Sequence, residues 1–335
     1  MVAQKVRKKY ATFLKVLISA GLLAWLVRSI EWQHVADLLA GAKIPWLAAA
    51  LGWIVVSVAV SAYKWQLLNR AAGLATPYRV LWQSYWACLF FNNFLPSSIG
   101  GDAVRIYWTG KYVGDMAGAA ATVVAERILA TAGLSLLALL AWPFSRLDVP
   151  YLVMFFAVLA LFSLALLLLI LYPKLLESLQ RFLHRFPGAA RFLESFSAHG
   201  LRLRRRSDLL LAALGGSVVF QGCVVMVNYC LFRALDIPGV TLLEACVLIP
   251  ATSVAAMIPL GINGYGTREG AYVALFSSLG VSRAGALTVS VLFAVLVSLT
   301  SLWGGWIWLR KGQEKEWEDE RIDGGESGRL VYKRI

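Results

Sequence analysis

Long apolar runs constrain the fold of this chain more than any other feature of its sequence. Several segments reach the roughly 20 consecutive apolar residues that an α-helix needs to cross a bilayer, and residues 152–171 contain no charged side chain. The hydrophobic fraction of 59% lies well above the roughly 45–50% that is usual in soluble domains. Because backbone polar groups inside a bilayer must bond to one another, the sequence predicts an all-α polytopic membrane protein.

The charged residues between the apolar runs determine the expected topology. The net charge is +13, but the basic residues lie in blocks between apolar segments. That placement is typical of the positive-inside rule and of contact with anionic lipids, and we expect no nucleic-acid partner. The block at residues 173–206 holds eight basic and two acidic residues, so we place it in the cytoplasm. Basic residues near both termini predict that the N-terminus and the C-terminus are cytoplasmic as well.

One short pattern, P-x-x-I-x-G-x-x-x-R, occurs twice, from Pro96 to Arg105 and from Pro259 to Arg268. Proline removes a backbone donor and glycine loosens the backbone, so each copy predicts a break in a helix. A permanent cation close to such a break is unusual inside a membrane and indicates a functional site. The residues expected to form the two breaks are Pro96, Gly100, Gly101, Pro259, Gly264 and Gly266.

Counting membrane crossings from the cytoplasmic block assigns a side to each segment. Residues 80–112 begin and end on the cytoplasmic side, and residues 241–280 begin and end on the outer side. Neither stretch has room for two full crossings, so we expect two re-entrant helical hairpins of opposite orientation among about six spanning helices. Three crossings in each half make the halves inverted repeats, as in many secondary transporters.

The predicted organisation follows from this count. Residues 1–10 form a basic cytoplasmic N-terminus, residues 11–145 the first repeat and residues 146–311 the second. Residues 312–335 are charged and are expected to form a disordered cytoplasmic tail.

Arg105 and Arg268 fall in the first turns after the two breaks. A helix N-terminus offers free N–H groups and a partial positive charge, and a guanidinium fork beside it suits a phosphate. Asp102 and Thr267 are the expected N-caps of these half-helices. The alternative is that both arginines only pair with Asp102, Glu126 or Glu269 and hold the hairpins in place.

Other polar residues near the breaks have two interpretations each. Glu126 and Arg127 are adjacent, so they point about 100° apart on a helix and need different partners. Arg127 is a candidate third phosphate ligand, and Glu126 is a candidate to neutralise Arg105, bind a cationic head group or carry a proton. A buried ion-pair network is the alternative for both. Asn93 and Asn263 are expected to satisfy backbone groups at the breaks or to contact a head group.

Two further expectations concern the edges of the apolar segments. Lys64 lies in the last turns of its predicted span and is expected to extend its ammonium group to the interface. Tryptophans at the ends of the spans, including Trp65 and Trp86, are expected to form interfacial belts.

Three pieces of the sequence together extend over nearly all of the membrane portion. They are Asn93-Phe94-Leu95-Pro96 with Gly100-Gly101-Asp102-x-x-Arg105, Ala125-Glu126-Arg127, and Pro259 with Gly264-x-Gly266-x-Arg268-Glu269-Gly270. In these pieces the chain resembles the lysylphosphatidylglycerol synthase transmembrane-region family, also called the flippase-like domain family. The resemblance implies an integral inner-membrane protein that moves, or helps to move, phospholipids or polyprenyl-linked sugars between leaflets.

One difference from some members of that family bears on the expected activity. Bifunctional multiple peptide resistance factors carry a soluble aminoacyl-tRNA-dependent transferase domain after this region. The chain has no room for one after it, so lysyl transfer is not expected.

The motifs that the sequence contains and lacks limit the remaining classes of function. It has no G-x-x-x-x-G-K-[ST] loop and no His or Cys cluster, so we expect no cofactor, no metal and no assigned catalytic residue. We expect a lipid translocase whose ligand is a phospholipid or a polyprenyl-phosphate lipid. Two alternatives stay open: a membrane transferase in lipid-linked glycan assembly, using Asp102, Glu126 or Glu269, and an accessory partner of an envelope-biosynthesis enzyme.

Overall fold

The computed structural model describes residues 40–94, 100–172, 187–258 and 266–323. Within these ranges all regular secondary structure is helical, as the apolar runs predict. The predicted first span, the breaker residues Pro96, Pro259 and Gly264, and Asn263 lie outside the described residues.

Ten α-helices account for most of the described chain. In order they are α1 (Ile44–Ala71), α2 (Tyr78–Phe94), α3 (Gly100–Val113), α4 (Met116–Ala141), α5 (Pro150–Leu171), α6 (Pro187–Arg205), α7 (Ser207–Ala234), α8 (Leu242–Met257), α9 (Thr267–Phe276) and α10 (Arg283–Asp323). Two short 3₁₀ helices follow α4 and α9, at Trp142–Phe144 and Ser277–Leu279.

Five of these helical segments are long and apolar enough to cross a membrane. They are α1, α4 with its 3₁₀ extension, α5, α7 and the part of α10 from Arg283 to Arg310. The described part of the chain is therefore an all-α, multi-pass membrane architecture.

The helix boundaries follow from local capping chemistry. Asp115 is the N-cap of α4, and its carboxylate accepts the backbone N–H of Gly118 at 2.8 Å. Thr241 and Glu244 form a capping box at the start of α8, with 2.7 Å between the Thr241 N–H and the Glu244 carboxylate. α5 begins with Pro150, whose fixed φ suits the first helical turn.

Two pairs of helices are shorter than the candidate spans. α2 and α3 have 17 and 14 residues, and α8 and α9 have 16 and 10 residues. At about 1.5 Å per residue, α3 is about 21 Å long and α9 about 15 Å, against a hydrocarbon core of about 30 Å. These two helices are too short to cross a membrane alone.

α2 and α3, which precede and follow residues 95–99 in the sequence, lie side by side. The backbone N–H of Gly101 donates to the Asn92 side chain at 3.0 Å. A Cβ on Gly101 would lie 2.3 Å from the Cys88 carbonyl oxygen, so only glycine permits this approach.

α1, α4 and α7 occupy the middle of the described bundle. α1 packs along α7, α2 packs against α10, and α4 contacts α3, α5, α7 and α8. One apolar core joins α4, α5, α7, α8, α9 and α10, and a second joins α1, α2, α4 and α7. The inner faces of α1 and α4 therefore contact several other helices.

Lys64, Trp65 and Trp86 differ from the sequence-based expectation, because all three side chains are enclosed by protein and cannot contact lipid head groups. Lys64 is 1% exposed, Trp65 0% and Trp86 4%. α1 continues to Ala71, so Lys64 lies nearly two turns before its end and faces α4 and α7 instead of the helix terminus. Trp303 and Trp306 on α10 are exposed, and the interfacial belt stays a prediction for them.

The end of α10 also differs from expectation. The helix continues to Asp323, through twelve residues that were predicted to be part of a disordered tail. Seven of these twelve residues are Glu, Gln, Lys or Arg, which are good helix formers, so an existing helix can extend through the stretch.

The contact between α10 and α2 gives a test of the packing. A Cβ on Gly304 would lie 1.9 Å from the Trp86 carbonyl oxygen. The backbone fixes the positions of both atoms, so neither can move aside as the end of a flexible side chain could. We expect Gly304→Ala to lower the free energy of unfolding by about 1–3 kcal/mol through overpacking. The measurement is thermal or denaturant unfolding of the purified protein in micelles.

Gly222→Ala on α7 is the matched control for that test. A Cβ there meets no atom within 4 Å. We expect it to be neutral or to stabilise by up to about 1 kcal/mol, because alanine is the better helix former. Equal destabilisation by both substitutions would contradict the close α2–α10 contact.

Candidate functional site

Five charged side chains from three helices form one continuous series of ion pairs. Lys64 comes from α1, Asp102 and Arg105 from α3, and Glu126 and Arg127 from α4. We call this set the charge chain. It brings the first copy of the repeated pattern together with the two charges of α4.

The charges alternate in sign along the series. Glu126 binds two cations, with Oε1 2.6 Å from Lys64 Nζ and Oε2 2.8 Å from Arg105 Nη2. Asp102 also binds two, with Oδ1 2.9 Å from Arg105 Nε and the carboxylate 2.8 Å from both Nε and Nη2 of Arg127. The Arg127–Asp102 contact is bidentate, which is the strongest geometry for such a pair. The order is therefore Lys64, Glu126, Arg105, Asp102, Arg127.

Most of the charge chain is enclosed by protein, but one end is open. Arg105 is 0% exposed, and Lys64 and Glu126 are each 1% exposed. The Arg127 side chain, by contrast, is 44% exposed. Burying a charge costs several kcal/mol unless an opposite charge and hydrogen bonds accompany it, and the chain supplies both.

Aromatic rings complete the surroundings of the buried cations. The Arg105 guanidinium lies 5.0 Å from the Trp65 ring centre and 5.2 Å from that of Tyr85, distances suited to cation–π attraction. The Tyr85 hydroxyl donates to Glu126 Oε1 at 3.3 Å. Four helices, α1 to α4, thus contribute to the immediate environment of Arg105 and Glu126.

A cavity of about 200 Å³ lies beside the open end of the charge chain. We call it the interhelical cavity, because α1, α2, α4, α7 and α10 all contribute to its wall. Arg127 is the one charged side chain among the described residues that line it. Its other polar lining groups include Ser57, Ser61, Tyr85 and Asn92, and the rest of the wall is largely aliphatic and aromatic.

The second copy of the pattern forms a separate ion pair on α9. Arg268 Nη2 lies 2.9 Å from Glu269 Oε1. Glu269 Oε2 also accepts the backbone N–H of Gly266 at 2.6 Å, and Gly266 has a φ of +86°, which favours glycine. The Arg268 guanidinium lies 5.9 Å from the ring centre of Phe293, and Phe293 lines the interhelical cavity.

The pairings that the sequence offered as an alternative for the two arginines are present. Arg105 pairs with Asp102 and Glu126, and Arg268 pairs with Glu269. Glu126 and Arg127 have different partners, as their adjacency predicts.

The expected N-caps are wrong. Asp102 is the third residue of α3 as described, and its carboxylate binds two guanidinium groups. Gly266, not Thr267, is the N-cap of α9.

The other predicted residues are placed around the same region. Asn93 is half-buried in the last turn of α2, and its neighbour Asn92 accepts the Gly101 N–H. The sequence predicted eight ligand residues. Among the described residues that line the interhelical cavity, Arg127 is the one that belongs to this set. Within the four described ranges, no three His, Cys, Asp or Glu side chains come close enough to hold a metal ion.

Sequence reasoning missed Lys64 as a member of the network. A signal was available, because Arg70 follows it six residues later and is an exposed basic residue at the end of α1. An interface cation beyond Lys64 places Lys64 deeper in the bilayer, where a carboxylate partner is required.

These features define an integral multi-pass membrane protein whose bundle encloses a charged network and a small cavity. The family model for the lysylphosphatidylglycerol synthase TM region matches residues 12–304, and the chain belongs to that family. It is 24% identical over 314 residues to a UPF0104 membrane protein of Pyrococcus horikoshii, covering 85% of this chain and 91% of the relative. It is 26% identical over 323 residues to a UPF0104 membrane protein of Methanothermobacter thermautotrophicus, covering 88% and 92% respectively.

The charge chain predicts a clear order of stability effects. Glu126→Gln leaves Lys64 without a carboxylate and Arg105 with only Asp102, so we expect the free energy of unfolding to fall by about 3–5 kcal/mol. Lys64→Met should cost less, because Glu126 keeps Arg105. Unfolding in micelles, followed by intrinsic fluorescence, measures both.

Lys43→Met is the control for removing a cation from an ion pair. Lys43 Nζ lies 2.7 Å from Asp236, but both side chains are largely exposed, so the unfolding midpoint should hardly change. If Glu126→Gln lowered the free energy of unfolding as little as Lys43→Met, the buried ion pairs would not stabilise the fold as expected.

Proposed function

We propose that this protein moves a lipid with a phosphate in its head group, a phospholipid or a polyprenyl-phosphate-linked lipid, between the leaflets of the cytoplasmic membrane. The observation that carries the proposal is the interhelical cavity with Arg127 on its wall. A largely apolar wall with one cationic edge suits a lipid phosphate whose chains stay in the bilayer.

Pairwise helix contacts support two related halves, residues 11–145 and 146–311. In this division α1 corresponds to α7, α2 to α8, α3 to α9 and α4 to α10. The α2–α10 contact then has its counterpart in α8–α4, and α3–α4 has its counterpart in α9–α10. α1 and α7 contact each other, as equivalent helices beside a two-fold axis would.

The short helices support the re-entrant hairpins of this proposal. α2 with α3, and α8 with α9, are the segments in which the charge count requires a return to the same side. The two hairpins enter from opposite faces, both chain termini are cytoplasmic, and the halves are inverted. The interhelical cavity is lined by α1, α2 and α4 of one half and by α7 and α10 of the other, where transporters of this kind bind their substrates.

The arginines have different roles in the proposed site. Arg127 meets the phosphate first, because its side chain lines the cavity. The Arg268 guanidinium lies 5.9 Å from the ring centre of Phe293, which lines the cavity, and in this proposal it approaches the phosphate as the halves move. Arg105 fixes Asp102 and Glu126 by ion pairs. Asn93 and Asn263 have the proposed role of satisfying backbone groups at the breaks or of contacting the head group.

Contacts with the cytoplasmic leaflet form the second part of the proposal. α6 ends in the basic sequence Arg202, Leu203, Arg204, Arg205, in which the three arginines are exposed. These side chains suit anionic head groups.

A transferase activity receives less support. It would need a free carboxylate as a base, and Asp102, Glu126 and Glu269 are all paired with cations. A paired carboxylate is a weaker base than a free one.

A lipid-translocation assay tests the proposal. Purified protein is reconstituted in vesicles with a fluorescent phospholipid, and movement is read by quenching the outer leaflet. We expect Arg127→Gln to lower the translocation rate by about 10- to 100-fold, the effect of losing one charge-assisted hydrogen bond. Arg105→Ala and Arg268→Gln are not useful tests, because each removes a cation from a buried carboxylate, Glu126 or Glu269.

Arg70→Gln is the control variant for that assay. Arg70 is an exposed arginine at the end of α1, outside the cavity wall, so its loss should leave the rate unchanged. Normal translocation by a folded Arg127→Gln variant would contradict the proposed site.

A further inference from the structure

We propose that the interhelical cavity selects lipids whose head group is an anionic phosphate without an amine, and rejects lipids that carry an amine. This inference rests on the proposed function and names the substrate class of the same site. It follows from the charge balance and the hydrogen-bonding groups of the cavity.

The charge balance leaves one position for an anion. Three cations and two carboxylates alternate along the charge chain, so one unit of positive charge has no counter-charge within it. The series ends in the buried Lys64 on one side and in Arg127 at the cavity on the other. An anion beside Arg127 would continue the alternation as its sixth member.

Arg127 is oriented to accept that anion without losing Asp102. Its Nε and Nη2 atoms bind Asp102, which fixes the guanidinium plane and leaves Nη1 on the opposite edge. Among the described residues no partner accepts from Nη1. A phosphate oxygen can therefore bind while the charge chain stays intact.

Ser61 provides a second donor that lacks a partner. The residue is 0% exposed and lines the cavity, and its hydroxyl makes no hydrogen bond within the described part of the chain. A buried hydroxyl without a partner is costly, and a phosphate oxygen would satisfy it.

Among the described residues that line the cavity, none is acidic, so an ammonium ion finds no carboxylate on this wall. Glu126 is enclosed behind Tyr85, and both of its oxygens already bind cations. An ammonium group in the cavity would be desolvated beside Arg127 with no carboxylate to compensate it.

Competition binding in micelles tests the inference. A fluorescent phosphatidate is the probe, and the competitors are phosphatidate, phosphatidylethanolamine and lysylphosphatidylglycerol with the same acyl chains. Undecaprenyl monophosphate and water-soluble glycerol 3-phosphate complete the set. We expect both lipid phosphomonoesters to compete about 10- to 100-fold better than either amine lipid.

Two variants connect the preference to the cavity. Arg127→Gln should weaken phosphatidate binding by about 10- to 100-fold, and Ser61→Ala by about 2- to 10-fold. Ser61→Ala removes only a hydroxyl, so it keeps the test valid if Arg127→Gln does not fold. Ser278→Ala, an exposed serine outside the cavity wall, is the matched control and should bind normally.

The outcomes separate this inference from the proposed function. If the protein translocates lipids but the amine lipids compete as well as phosphatidate, the selectivity is wrong and the function stands. If it neither binds nor translocates any lipid, the proposed function itself fails. If glycerol 3-phosphate competes as well as phosphatidate, the cavity binds a water-soluble phosphate, and the inference that its ligand is a lipid is wrong.

Discussion

Alternating buried charges hold three helices of this protein at one place. Lys64, Arg105 and Glu126 are almost fully enclosed, and each would be costly there without an opposite charge. Glu126 and Asp102 each bind two cations, so removing either carboxylate leaves two partners short. Apolar faces alone would allow α1, α3 and α4 to pack in several registers. The ion pairs permit only registers in which the charges meet, because every other one leaves a charge alone in an apolar bundle.

The same arrangement explains how a stable interior coexists with a candidate binding site. With equal numbers of cations and carboxylates, the network would have no uncompensated charge to attract an anion. The extra cation is carried by Arg127, the member of the series that lines the cavity. Burial of the other charges keeps their pairs out of water, where salt and solvent would weaken them. The stability of the interior and the proposed affinity for an anion therefore have one electrostatic origin.

Sequence reasoning correctly predicted the features that a single segment determines. The five candidate spans are long and apolar by themselves, and the adjacency of Glu126 and Arg127 was enough to predict separate partners. It failed where the outcome depends on which helices meet. Lys64 was expected at an interface, but Glu126 on another helix lies opposite it. Asp102 was expected to cap α3, but two guanidinium groups form stronger bonds to a carboxylate than a backbone amide does. The cavity involves five helices, and no single segment encodes it.

The two copies of the repeated pattern make different contacts. Arg105 on α3 binds Glu126 on α4, which in turn binds Lys64 on α1, so α3 cannot shift without separating buried charges. The Arg268–Glu269 ion pair lies within α9. Hydrogen bonds from Tyr272 to Asn228 and from Ser290 to Glu269 connect α9 to α7 and α10. The bond from Tyr272 joins two neutral groups and the bond from Ser290 ends on a carboxylate, contributions of about 0.5–1.5 and about 1.5–3 kcal/mol respectively. Tyr272 and Phe276 are also buried in the apolar core. Hydrogen bonds and apolar packing therefore connect α9 to its neighbouring helices, where ion pairs connect α3.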